Sequence, residues 1–232
     1  MSTSIVLRDG REMAVRQAAV EDGDAIAQEH PLPRDRDASE TVYRNYYLAK
    51  ALTYIRAPGA GVTTGWVGDE LAGFVFQCNE ITSVRRFTKS PGTMAWFTCQ
   101  AVAGRFGYDP RVWLDLMRWG LQHFRQPRDY DTDHSSGAYS DIAAWIGTVH
   151  TVPTYRRLGV ATSLLGAVEG RLAGSGASEV ALWVAEDNVV AKELYEGLGY
   201  APAGSYQRVG ETCELMVKAL DTEPSHEPKQ PG

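Results

Sequence analysis

"TVPTYRRLGVATSLL", residues 151–165, runs from an apolar strand pattern into an apolar helix pattern and sets two adjacent arginines and a glycine at the join. Upstream, "IAAWIGTVHTV" (142–152) reads as a strand. Downstream, "GVATSLLGAVEGRLAGSG" (159–176) reads as a helix and "EVALWVA" (179–185) as a second strand. A strand, a helix and a strand with short joints form a right-handed crossover, which makes the two strands parallel neighbours.

The rest of the chain supplies more strands and helices around this unit. A strand is expected at Met13 to Ala18, followed by a helix whose start carries Glu21, Asp22 and Asp24, where the helix dipole favours negative charge. A second helix is expected from Ser39 to about Ile55, capped by Ser39, with Val42, Tyr46, Ala49 and Thr53 on one face. "VTTGWVGDELAGFVFQCNEI" (62–81) reads as a hairpin turning at Gly68, Asp69 and Glu70. Residues 83–141 interrupt this rhythm. Within them, "TMAWFTCQAVAGRF" (93–106) has helical character, and "YDPRVWLDLMRWGLQHFR" (108–125) is a marked helix with Asp109 as cap and Pro110 at the first helical position. After the second parallel strand come a short helix, "NVVAKELYEGLG" (188–199), and two strands around "SYQRVG" (205–210) and "CELMVKAL" (213–220). The expected organisation is a single domain over 1–220, with the insertion at about 83–141 and a disordered, Pro-rich, charged tail over 221–232.

Composition narrows the function classes. A chain of 232 residues with 44% hydrophobic content can bury one full core without disulfides or metals. The 29 acidic residues against 23 basic ones, net charge −6, speak against a nucleic-acid binder, so any anion site has to be local. Cys78, Cys99 and Cys213 are odd in number and far apart in apolar surroundings, which reads as buried thiols in a reducing compartment. The N-terminus has charges where a signal peptide needs an apolar core, and no run approaches a membrane span. A soluble, cytoplasmic protein with no membrane partner is expected.

The join at 151–165 suits an anion. The first N–H groups of a helix lack intrahelical partners and the dipole adds partial positive charge. Gly159 removes a Cβ that would hold an anion away from the backbone, Ala161 is nearly as permissive, and Arg156 and Arg157 add full charges. The pattern Arg156-x-x-Gly159-x-Ala161 therefore fits a pyrophosphate. Taken alone it is also readable as a plain loop with a glycine hinge.

"WIGTVHTVPTYRRLGVATSLL" together with "VALWVAEDNVVAKELYEGLGY" resembles the GNAT superfamily of acetyl-CoA-dependent N-acetyltransferases over about Ala143 to Tyr200. The likeness lies in the Val-Pro before an aromatic, the Arg-x-x-Gly-x-Ala, Asn188 opening the next helix, Tyr195 seven residues on, and "GLGY". "VRQAAVEDGDAIAQ" is similar to the family's first strand and helix, while residues 83–141 match nothing in the common core. The resemblance implies an α/β fold with a mixed, mostly antiparallel sheet, a parallel fourth and fifth strand pair, helices on both faces, and a helical insertion between the third and fourth strands. It implies an acyltransferase that moves acetyl from acetyl-CoA to a primary amine of a small molecule. Protein N-termini or lysines, or a non-catalytic CoA-binding domain, are the alternatives.

The resemblance also assigns roles. Backbone groups of Val149, His150 and Thr151 would pair with pantetheine as an added strand does. The amides of Arg157, Leu158, Gly159, Val160, Ala161 and Thr162 would hold the pyrophosphate, with charge from Arg156 and Arg157. Asn188 would touch the pantetheine arm or hold the splayed strand, or simply cap its helix. Tyr195 would donate a proton to the departing thiolate, against a plain packing role for its ring. For the base that frees the amine, Glu80, Asp141 and His150 stay open, since "VALWVA" offers no ionisable side chain. No metal is expected. "YDTDH" with Asp131, Asp133 and His134 reads as a polar loop, and the histidines lack zinc spacing. The aromatic insertion reads as a satellite core that could also roof the acceptor site or form a homodimer contact.

Overall fold

The computed structural model describes residues 2–32, 40–104, 144–208 and 211–221. Eight strands, β1 Thr3–Val6, β2 Glu12–Gln17, β3 Ala60–Val67, β4 Glu70–Cys78, β5 Ala144–Thr151, β6 Glu179–Ala185, β7 Ala201–Arg208 and β8 Glu211–Ala219, form one sheet in the order β1-β2-β3-β4-β5-β6-β8-β7. Every neighbouring pair is antiparallel except β5 and β6. The expected parallel pair is thus present. It is the fifth and sixth strand of the chain, because β1 precedes the first strand that the sequence pattern announced. The turn "DG" at Asp9 and Gly10, with Gly10 at φ +86°, is the hairpin signal that was there to be read.

Among the described residues the helices are α1 Gly23–Glu29, α2 Glu40–Arg56, α3 Ile81–Thr88, α4 Pro91–Val102, α5 Val160–Gly174 and α6 Val189–Gly197. Strand alternation decides which face each one covers. On β4, Val75 joins Met13, Ile146, Leu164, Leu165, Val168, Leu182 and Tyr195 in the core beneath α5 and α6. Phe74 and Phe76 point the other way, to Ile26 of α1 and Ala51 of α2. Asp22 fixes the start of α1, accepting hydrogen bonds from the Ala19 amide at 2.7 Å and from Arg16 at 2.6 and 2.8 Å.

Three expectations need correction. Helix α2 buries Tyr47, Leu48, Ala51 and Leu52 beside Val42 and Thr53, whereas Tyr46 and Ala49 are only half-buried. It packs against both α1 and the sheet, so its buried arc is wider than the stripe expected. Cys78 and Cys213 are buried, but Cys99 is exposed, because α4 lies outside the sheet layer and shows one face to solvent. Glu70, placed in the hairpin turn, is already the first residue of β4. Ser39, Asp141 and the helix expected at 108–125 lie outside the described residues.

His30, just past the end of α1, is 7% exposed and stacks on Tyr47 with ring centroids 3.5 Å apart. Its Nδ1 lies 3.1 Å from the Pro31 carbonyl oxygen, which can only accept, so Nδ1 carries the proton and Nε2 keeps a bare lone pair with no partner. Burial, aided by the positive charges of Lys50 and Arg44 and by His150, pushes the imidazole down to about 3 from 6.5. Between those values the unfolded chain binds a proton that the native chain refuses. Stability should hold above pH 6.5 and fall as the pH drops toward 3. Urea midpoints measured across that window are expected to decline for the wild type and to decline less for His30→Phe, which keeps the stack. Parallel curves would show that this imidazole is not held neutral.

Candidate active site

The sheet opens along one line. Gln77 pairs with Ile146 and Val75 with Val149, so Gly147 and Thr148 together face Phe76, a bulge that bends and twists β5. On the other side, β5 pairs with β6 only from Ala144–Val180 to Ile146–Leu182. Beyond that point β5 stays on β4 up to Thr151–Gly73 and β6 stays on β8 up to Ala185–Cys213, so the two parallel strands splay. Val149, His150 and Thr151 lie on this opened edge, with Gly147 exposed beside it. A glycine inside a strand pattern signals a bulge, and Gly147 was legible in that way.

The opened edge leads into the arginine loop. After Thr151 a short 3-10 turn, Pro153–Tyr155, is followed by residues 156–159 and then α5. Gly159, the N-cap, sits at φ +92°, a conformation that costs other residues energy, and nothing lies within 4 Å of where its Cβ would be. Arg157 also adopts a left-handed conformation, at φ +63°. Ser163 is the first helical residue whose amide finds an acceptor there, Gly159 O at 3.0 Å. The amides of Val160, Ala161 and Thr162 precede it, and no side chain caps the helix. A tight turn with left-handed residues at a helix start is an anion-binding geometry. Arg156, Arg157 and Leu158 surround it, and Arg156 donates from Nε to Thr151 O at 3.3 Å.

Gly73 controls how closely this helix start meets the sheet. A Cβ there would lie 2.6 Å from His150 O and 3.0 Å from the Val160 side chain, so only glycine lets β4, β5 and α5 converge. Sequence reading missed Gly73, since it looks like any glycine in a hairpin strand.

Tyr195, on α6, is 7% exposed and meets Tyr200 edge-on at 5.7 Å. Burial pushes its hydroxyl up to about 12, so it keeps its proton at neutral pH. Asn188 caps α6, its side chain accepting from the Ala191 amide at 3.3 Å.

On the face of α1 and α2, His150 lies 5.3 Å from the Phe74 ring, and its Nε2 is buried with no partner. Burial, then the charge of Arg156, pushes it down to about 4. Lys50 reaches across from α2 to donate to Thr148 Oγ1 at 2.9 Å, and its ammonium sits 4.8 Å from the centre of the Phe76 ring. Glu80 is elsewhere: exposed, it precedes α3 and accepts from Ser83 Oγ at 2.9 Å. Of the three candidate bases, His150 is the one beside the splay, Glu80 opens a helix, and Asp141 is outside the described residues. Lys50 and Thr148 had no motif to announce them.

Comparison with known proteins agrees with this geometry. A model of the acetyltransferase (GNAT) family matches residues 26–200. No curated protein matches the chain. Among solved structures, the N-acetyltransferase from Staphylococcus aureus Mu50 is similar at TM-score 0.57 and 17% identity, over 88% of this chain and 99% of that one. YncA from Salmonella typhimurium, solved with its cofactor acetyl-CoA, gives 0.50 and 13%, over 91% and 95%. The ribosomal-protein alanine N-acetyltransferase from Escherichia coli gives 0.50 and 14%, over 92% and 97%. These likenesses establish the fold, and the family match, which spans the splay, the arginine loop and the tyrosine helix, goes further: the chain belongs to the acetyltransferase (GNAT) family and is an acyltransferase.

Proposed function

We propose that this acyltransferase moves the acetyl group of acetyl-CoA to a primary amine of a small molecule, by direct attack of the amine on the thioester carbonyl. The observation that carries the donor half is the continuity of the opened β5 edge with the arginine loop. An extended pantetheine arm fits the main-chain groups of Val149, His150 and Thr151, and a pyrophosphate fits the amides from Arg157 to Thr162. As the C–N bond forms and the C–S bond breaks, the leaving thiolate needs a proton. Tyr195 is protonated at neutral pH, as a proton donor has to be, while burial makes its hydroxyl a weaker acid than a free phenol, so the transfer has to accompany the departure of the thiolate.

The amine has to arrive without its own proton. His150 and His30 are both held neutral on the face of the sheet covered by α1 and α2. An ammonium entering the same surroundings meets the same cost of burial and the same positive neighbours, which lowers its pKa. His150 Nε2, buried and without a partner, is a polar atom that the amine or a water would satisfy once the ring turned toward it. Trp96 and Phe97 of α4 pack onto the cluster of α2, beside the face that carries His30 and Lys50.

Three outcomes test this reading. A broad amine panel with thiol detection is expected to give turnover with small primary amines; turnover confined to peptide N-termini or protein lysines would replace the acceptor assignment. Tyr195→Phe is expected to lower kcat roughly a hundredfold while leaving the Kd for acetyl-CoA unchanged. Gly159→Glu, which adds about 1–2 kcal/mol of left-handed strain and a negative charge at the loop, is expected to abolish acetyl-CoA binding in titration calorimetry. Unchanged affinity would remove the loop from the donor site.

A further inference from the structure

The β1–β2 hairpin lies outside the matched family residues, yet it is built onto the arginine loop. The Arg8 amide donates to Leu158 O at 3.2 Å, and Leu7, 3% exposed, shares the core cluster of Tyr155. Arg11 lies 4.8 Å over the Tyr155 ring, whose hydroxyl donates to Glu70. These contacts hold the hairpin tip against residues 155–158.

The two arginines of that tip are treated differently. Arg11 is neutralised by Asp9, with its Nε 2.7 Å from Oδ2. Arg8 is not: its guanidinium is exposed, reaches only to within 3.5 Å of Arg157 O, and has no carboxylate partner among the described residues. Arg156 and Arg157 likewise have none there. Three arginines with no carboxylate partner among the described residues are thus carried by this loop and the hairpin tip docked on it, in a chain whose net charge is −6. A surface of one sign raises the local concentration of anions. A pyrophosphate diester brings about two negative charges, which match Arg156 and Arg157, and the remaining phosphate of coenzyme A is a monoester with about −1.5 to −2 more at pH 7.

We propose that Arg8 is a third phosphate-binding arginine, which takes the 3′-phosphate of coenzyme A and makes the donor site selective for it over 3′-dephospho-CoA. The proposal rests on the donor reading above. It adds to that reading an origin for the selectivity: the N-terminal hairpin, docked through its backbone, carries a charge to a loop that the family motif supplies without it.

Titration calorimetry of CoA and 3′-dephospho-CoA against the wild type, Arg8→Ala and Arg8→Lys separates the outcomes. The wild type is expected to bind CoA about tenfold or more tightly than 3′-dephospho-CoA, the size of one charge-assisted contact. Arg8→Ala is expected to lose that preference by weakening CoA alone, and Arg8→Lys to keep part of it. Because the docking hydrogen bond uses the Arg8 backbone, Arg8→Ala keeps the hairpin in place, and an unchanged melting temperature checks this. Equal weakening of both ligands, or an intact preference in Arg8→Ala, would overturn the proposal and leave the donor reading standing. A wild type that binds neither ligand would overturn both.

Discussion

The architecture of the site depends on two residues facing one. Gly147 and Thr148 stand opposite Phe76, and this bulge has three consequences. It turns β5 away from β6 after Ile146, which opens an edge of main-chain groups in the middle of a sheet. It sets the side chains of Thr148 and His150 toward α2 and leaves Val149 toward α5. It also brings Thr151 level with Gly73, where the missing side chain lets the start of α5 approach the sheet. A strand without the extra residue would continue its parallel ladder with β6 and close the edge.

The loop that follows is held in a costly shape. Left-handed backbone at a residue such as Arg157 costs on the order of 1–3 kcal/mol and persists only where the surroundings over-determine it. Here the surroundings are identifiable: Tyr155 is fixed between Leu7, Arg11 and Glu70, and Leu158 O is tied to the Arg8 amide. The first strands of the chain thus act as a buttress for a loop almost 150 residues away in sequence, as the separation between Arg8 and Arg157 records. Strain at the loop and order in the hairpin are two sides of one arrangement.

The elements of the donor half were legible because their patterns are local. A strand, Gly159 and a helix start follow one another within residues 144–174, while the pyrophosphate role comes with the family resemblance, since spacing alone leaves a plain loop equally readable. The parallel pair, α5, α6 and the late hairpin follow from the same short-range patterns. What stayed hidden required residues distant in sequence. Lys50 meets Thr148 across 98 positions, and His30 and His150 are brought near one ring, that of Phe74. Glu80 and His150 could not be ranked from sequence, because the difference between them is burial, and nothing in "CNEI" or "TVHT" reports it.

Burial also bears on the hardest step, freeing the amine. A primary amine with pKa near 10.4 is almost wholly protonated at pH 7, and an imidazole held at about 4 is a far weaker base than that amine. His150 is therefore poorly suited to store the proton. Its low pKa records something more useful about the place it occupies: positive charge is disfavoured there, by desolvation first and by Arg156 second. His30, with Lys50 and Arg44 nearby, reports the same of the adjoining space. On the proposed reading, an amine that enters beside these two imidazoles meets the same desolvation and the same positive neighbours. Surroundings of that kind lower the pKa of the amine itself, so the proposed mechanism asks less of any single base.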